Sequence, residues 1–453
     1  MKMDVSMIKP HQLWDNLRSS LWFVPTLLVA GLVALAAGLI EVDSSTNLGR
    51  LAERWPRLLG AGAEGSRALL SAIAGSMITV AGVTFSITVV ALTLASGQYT
   101  SRILRNFMRD RANQAVLGVF VGVFAYCLVV LRTIRGGDGG AFVPSIAVLV
   151  AMLLAFVAIG FLIFFIHHIA ASIQATSILE AIAEETLEAV DRLFPADIGE
   201  AAVEHVGERQ QADLTAQPWL TIPAEATGYI QEIDADALFA VAREQGLVLW
   251  MERGIGEFVI EASPLASVAG KQPDDEAIRK VNAAYTVSRD RTVQHDAAFG
   301  IRQMVDVALK ALSPGINDTT TAINCVDYLG AILARLAVRR IETPYRSDGD
   351  RLRVITRGPT FPGLLANAFD QIRQNADGNV AVLLRLLQVL EILVGRTRDV
   401  QRRQALRRQM DLIGETAERS IPSAHDRATI QAARDQVFSM PGEAHERKRF
   451  SAG

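Results

Sequence analysis

Residues 78–97, ITVAGVTFSITVVALTLASG, carry no charge, yet they hold hydroxyls at Thr79, Thr84, Ser86, Thr88, Thr93 and Ser96. Hydroxyls in an apolar helix can do one of two things. They can replace water around an ion along a polar path, or they can return their protons to backbone carbonyls one turn earlier while small residues bring helices together. Thr79, Ser86 and Thr93 recur every seven positions and share a helix face, drifting by about 20° per step, with Gly75 and Gly82 on or beside it. Thr84 and Thr88 fall on nearly the opposite side. The stripe Gly75, Thr79, Gly82, Ser86, Thr93 is therefore expected to face protein or water, lining a pore axis or packing helices. No acid, base or arginine lies mid-way along any apolar segment. That argues against proton-coupled transport and voltage sensing, which need an ionisable group at depth.

Arg102, Arg105 and Arg109 follow the stripe as a basic edge. They suit either anchoring on anionic lipid or a vestibule that concentrates anions. His167 and His168 close the last apolar segment. Adjacent helical residues diverge by about 100°, a poor arrangement for one metal, which leaves an interfacial or capping role or a pH-sensing one. Further on, residues 288–322 are rich in neighbouring charges: Asp290 with Arg291, His295 with Asp296, and Arg302, Asp306 and Lys310 at i,i+4 spacing. A His beside an Asp, with no positioned nucleophile, does not make a hydrolase. The tract SPGIND, holding Ser313, Asn317 and Asp318, lacks the glycine spacing and lysine of a phosphate-binding loop. It is expected to be a corner between helices, or alternatively a ligand-binding turn. Cys127 and Cys325 show neither disulfide nor metal spacing and are expected to be small buried hydrophobes. No cofactor or metal signature is present, so an enzyme is the least favoured class. A net charge of -3 over 453 residues gives no reason to expect nucleic acid.

Half of the residues are hydrophobic, and they concentrate in the first 180. Four stretches there reach the roughly 20 apolar residues that a bilayer-crossing helix needs: 21–40, a segment within 68–101, 112–131, and one that begins near 143. The second would be about 50 Å long if continuous, beyond the hydrocarbon thickness. Residues 1–20 place Leu13, Trp14 and Leu17 at helical spacing, as an interfacial helix would. The expected organisation is an interfacial segment 1–20, a four-helix transmembrane domain with a helical stalk over 21–180, a cytoplasmic domain over 181–440, and a disordered tail 441–453. The fold class is thus an α-helical membrane region with four transmembrane helices plus a C-terminal soluble α+β domain, mostly helical.

In that second half, strands are expected near 227–234, 246–253, 256–262 and 351, with RGIG at 253–256 as a hairpin connection. A helix capped by Asp234 and stopped by Gly246 lies between the first two. A long amphipathic helix with Ala297, Ile301, Met304, Val305, Ala308 and Leu312 on one stripe precedes SPGIND. Basic residues flank the two sides of the apolar segments almost equally, so they barely decide orientation. The large half without disulfides or a signal peptide puts both termini in the cytoplasm, beneath the cell's inner (plasma) membrane.

The tracts TVAGVTFSITVVALTLASGQYTSRILRNFMRDR, LVVLRTIRGG, FFIHHIAASIQ and AFGIRQMVDVALKALSPGINDTTTA resemble the bacterial predicted-membrane-protein family known as domain of unknown function 2254. The resemblance extends over nearly the whole chain. It implies a four-helix membrane region and a soluble C-terminal domain, and it implies no activity. After the aspartate of SPGIND the family has proline, where this chain has Thr319. The expected function is a homo-oligomeric ion channel or channel-like conduit whose second apolar helix lines the axis. Its partners would be the lipid bilayer, further copies of itself and a small ion. The alternative is a non-conducting sensor or scaffold whose soluble domain binds a ligand or partner.

Overall fold

The computed structural model describes residues 22–45, 62–98, 110–135, 142–172, 174–194, 218–341, 344–349 and 351–438. The chain forms two compact units, Met1–Gln174 and Ala175–Gly453. The expected interfacial helix within 1–20, the tail 441–453 and the arginines Arg102, Arg105 and Arg109 lie outside the described residues.

In the first unit, four helices are long and apolar enough to cross a membrane. These are α1 (Phe23–Ser45), α2 (Ala63–Gln98), α3 (Arg111–Thr133) and α4 (Ser145–Ser172). Without a hydrophobic drive between helices in lipid, close packing and interhelical hydrogen bonds must hold such a bundle. Both are visible. Half of the apolar window of α3 is buried, more than in any of the other three, because it packs on α1, α2 and α4. Gly118 and Gly122 let α1 approach α3 closely: a Cβ on Gly118 would lie 2.9 Å from Pro25 Cα and 2.7 Å from Leu28 Cδ1. Tyr126 donates from its hydroxyl to the Ala147 carbonyl on α4 at 2.9 Å, fully buried. Asp43, at the end of α1, accepts from the Ile146 and Ala147 N–H groups at 3.3 and 3.1 Å. One helix end thereby supplies the N-terminal cap of another, meeting donors that α4 cannot satisfy itself.

α2 is continuous over its 36 residues, about 54 Å at the usual helical rise. It packs through Leu70, Ile73, Met77, Ala81 and Thr84, all buried. α4 stops at Ser172, and a separate helix, α5 (Ala175–Leu193), begins the second unit.

The second unit combines two small sheets with a helical layer. Its strands are β1 (Trp219–Pro223), β2 (Gly228–Ile233), β3 (Val248–Met251), β4 (Phe258–Val259), β5 (Pro264–Ala269), β6 (Tyr285–Ser288), β7 (Tyr345–Asp348) and β8 (Arg351–Ile355). The larger sheet has the order β1-β5-β3-β8-β7, with β3 and β8 parallel and its other pairs antiparallel; the smaller is β4-β2-β6. α6 (Ala235–Gln245) is capped by Asp234 and ended by Gly246 in the left-handed region, as the sequence pattern implies. α7 (Asp275–Ala283) was not anticipated.

RGIG is not a hairpin. β3 and β4 belong to different sheets, and 253–256 carries the chain from one to the other. Both glycines are needed there. A Cβ on Gly254 would meet the Arg357 carbonyl at 2.5 Å, and Gly256 has φ +81° where an added Cβ would clash with the Asp296 carboxylate. The helical layer holds α8 (Ala297–Ala311), α9 (Thr319–Leu336), α10 (Phe361–Asn375), α11 (Val380–Arg396), α12 (Val400–Ser420) and α13 (Ala424–Phe438). The expected stripe on α8 is buried from Ala297 to Ala308, while Leu312 just beyond its end is half-buried.

Candidate functional site

The small and hydroxyl stripe of α2 lies outside the packed core of the first unit. Gly75, Thr79, Gly82, Ser86 and Thr93 are all exposed. A Cβ added to Gly75 or Gly82 would find nothing within 4 Å. At 100° per residue the stripe is centred about 150° from the face carrying Leu70, Met77 and Ala81. Exposed Ile78, Phe85 and Val89 flank it on one side, Val83 and Val90 on the other. It is a shallow polar furrow between apolar ridges. Thr84 and Thr88 turn the other way, buried and half-buried.

Each stripe hydroxyl has a committed proton. Thr79 donates to the Gly75 carbonyl at 2.8 Å, Ser86 to Gly82 at 2.9 Å and Thr93 to Val89 at 2.9 Å. What remains directed outward is oxygen lone pairs, so the furrow accepts hydrogen bonds or coordinates cations but has no hydroxyl proton left to donate.

The two histidines part company. His167 is exposed, whereas His168 Nε2 sits 2.5 Å from Asp110 Oδ2. Asp110 is also the N-cap of α3, accepting from Ala112 N–H at 2.9 Å. His168 therefore ties the end of α4 to the start of α3.

The SPGIND tract joins α8 to α9 through several hydrogen bonds. Ser313 donates to the Lys310 carbonyl at 2.6 Å. Asn317 adopts φ +50°, and its N–H reaches the Ser313 carbonyl at 2.9 Å. Asp318 caps α9, accepting from the Thr321 N–H at 3.0 Å and the Thr321 hydroxyl at 2.6 Å. Those two donors hold its carboxyl below the usual range. Thr319 accepts from Asn379 Nδ2 at 2.9 Å and so pins the corner to the cap of α11.

The charge pairs redistribute. Arg302 and Asp306 pair at 2.8 Å as their spacing implies. Arg291 also binds Asp296, through Nε at 3.0 Å and Nη2 at 2.6 Å. A 3-10 turn over Val293–His295 folds the chain back to permit this. Both cysteines are buried, and burial pushes the Cys325 thiol up, away from reactivity.

Sequence reasoning missed three features of the first unit: the Gly118/Gly122 contact, the Asp43 cap and the Asp110–His168 pair. The first was legible, since GVFVG at 118–122 is a small-xxx-small motif within an apolar segment. The other two join residues far apart in sequence and left no local signal.

Four long apolar helices, held by close glycine contacts and by polar links at their ends, define a multi-pass membrane protein. Comparison with known proteins gives the family. Residues 18–392 match the family described as "Predicted membrane protein (DUF2254)", and the chain belongs to it. "Uncharacterized protein Mb1321c" of Mycobacterium bovis and "Uncharacterized protein Rv1290c" of Mycobacterium tuberculosis are each 34% identical to it over 441 residues, 94% of this chain and 82% of theirs. No solved structure matches it significantly.

Proposed function

We propose that the protein is a homo-oligomeric conduit for a small cation in the inner membrane, with α2 of each copy turned toward a shared axis. One observation carries this: the only long run of glycines and hydroxyls among the described apolar helices faces away from its own subunit. Hydroxyl oxygens with their protons held by the backbone offer acceptors and no donors, which suits a cation in place of its hydration shell. Glycines between them let neighbouring helices come close. Both termini would be cytoplasmic, with the second unit assembling or regulating the pore.

The test joins stoichiometry to conductance. Native mass spectrometry of the protein extracted in mild detergent should show an oligomer. In planar bilayers it should pass cations, and Thr79→Leu or Ser86→Leu should abolish or sharply lower the current. A detergent-stable monomer that stays silent under varied salt, pH and tension would favour the non-conducting sensor or scaffold.

A further inference from the structure

The second unit holds a half-open cavity of about 540 Å3. Three helix N-termini converge on it, at Ala235 of α6, Ala297 of α8 and Thr360 of α10. It also lies beyond the carboxyl ends of the parallel strands β3 and β8, where Met251 and Thr356 line it. Ligands of α/β sheets bind at that end because the following loops and helix starts are free to vary and present N–H groups. In size the cavity falls within the range of small-molecule sites.

Its lining has two characters. Phe194, Ile233, Met251, Ile341 and Leu364 form an apolar part, and Arg346, Arg357 and His295 a cationic one. The carboxylates that also line it are already engaged. Asp296 takes two bonds from Arg291 and one from the Phe299 N–H. Glu257 takes Arg357 Nε at 2.7 Å and lies 3.6 Å from Arg253. Arg357 spends only Nε on that pair, so its two Nη groups have no partner among the described residues. The α10 start, capped by the neutral Thr360, leaves its positive end uncompensated by any acid in its first turn.

We infer that this cavity binds a small organic anion: an oxyanion, phosphate or carboxylate, held by Arg357 and Arg346 near the start of α10, on an apolar body that fills the side lined by Ile233, Met251 and Leu364. The inference concerns the second unit as a ligand-binding domain and holds whether or not the membrane unit conducts.

Phenyl phosphate and benzoate are the probes, each with one oxyanion on one ring, and isothermal titration of the full chain in zwitterionic nanodiscs is the measurement. At least one should bind saturably, one per chain, and whichever binds tighter identifies the oxyanion. Inorganic phosphate, lacking the ring, should bind at least about 10-fold more weakly. Arg357→Gln and Arg346→Gln should each weaken binding about 10-fold or more, the usual loss for a charge-assisted pair. Hydrogen exchange on the wild-type protein guards against a misfolded variant: the bound probe should slow exchange at 356–364 and 295–298. Absence of saturable binding at millimolar probe would overturn the inference. So would protection confined to other segments, or an Arg357→Gln protein that binds as tightly as wild type.

Discussion

Replacing Gly118 by alanine probes the contact on which the membrane unit is built. The new Cβ would sit 2.7 Å from Leu28 Cδ1 and 2.9 Å from Pro25 Cα. The first neighbour is a side-chain tip that can swing aside; the second is backbone, so α1 itself must shift away from α3. Gly122→Ala meets only Leu32 Cδ1 at 2.6 Å, with the next atoms at 3.6 Å. Overpacking a tight core costs about 1–3 kcal/mol, and the backbone clash places Gly118→Ala near the top of that range and Gly122→Ala near the bottom. The two should also differ in rescue. Leu32→Ala relieves Gly122→Ala in full, whereas Leu28→Ala relieves Gly118→Ala only in part, because Pro25 remains. Unfolding in SDS-titrated mixed micelles measures this, with the fluorine resonance of labelled Trp22 reporting the head of α1 separately from the tryptophans of the second unit. Equal losses at the two positions, or complete rescue of Gly118→Ala by Leu28→Ala, would refute the packing argument.

Asp318→Ala removes a cap and should cost about 1 kcal/mol at neutral pH. Because Thr321 holds the folded carboxyl below its unfolded value, this contribution is complete above the ordinary carboxylate range and is lost as pH falls through the lower, folded value. Denaturant melts of wild type and variant should therefore converge at low pH; curves that stay parallel would contradict the assignment. Asp43→Ala strips the α4 N-terminus of its acceptor and should destabilise the membrane unit by about 1–2 kcal/mol. Faster exchange at the Ile146 and Ala147 amides would report it, and unchanged exchange there would count against the cap.

The long elements were legible because their periods are. Four apolar runs gave the membrane helices, and Asp234 with Gly246 bracketed α6 within a residue. β5 escaped because PLASVA, buried at five of six positions, shows no alternation. RGIG looked like a hairpin because its glycines mimic a turn, yet β3 and β4 go to different sheets, and β3 finds part of its partnership in β8, far downstream. The Arg291–Asp296 pair depends on the intervening 3-10 turn, which neighbour spacing alone does not reveal. For the stripe on α2, the sequence showed which side chains share a face. Only the packed bundle showed that this face is left open by the chain's own helices, because that depends on where α3 and α4 lie.

Whether α2 lines a path depends on where its open face points in a bilayer. Spin labels at positions 79, 82 and 86, in a background with Cys127 and Cys325 replaced by alanine, can be compared with labels at Phe156 and Ile163, which are strongly exposed on α4. Oxygen partitions into lipid, while a nickel chelate reports water. The α2 positions should show low oxygen access, together with chelate access where the path is wet. Oxygen access at 79, 82 and 86 equal to that at 156 and 163 would place the stripe in acyl chains and contradict the proposal.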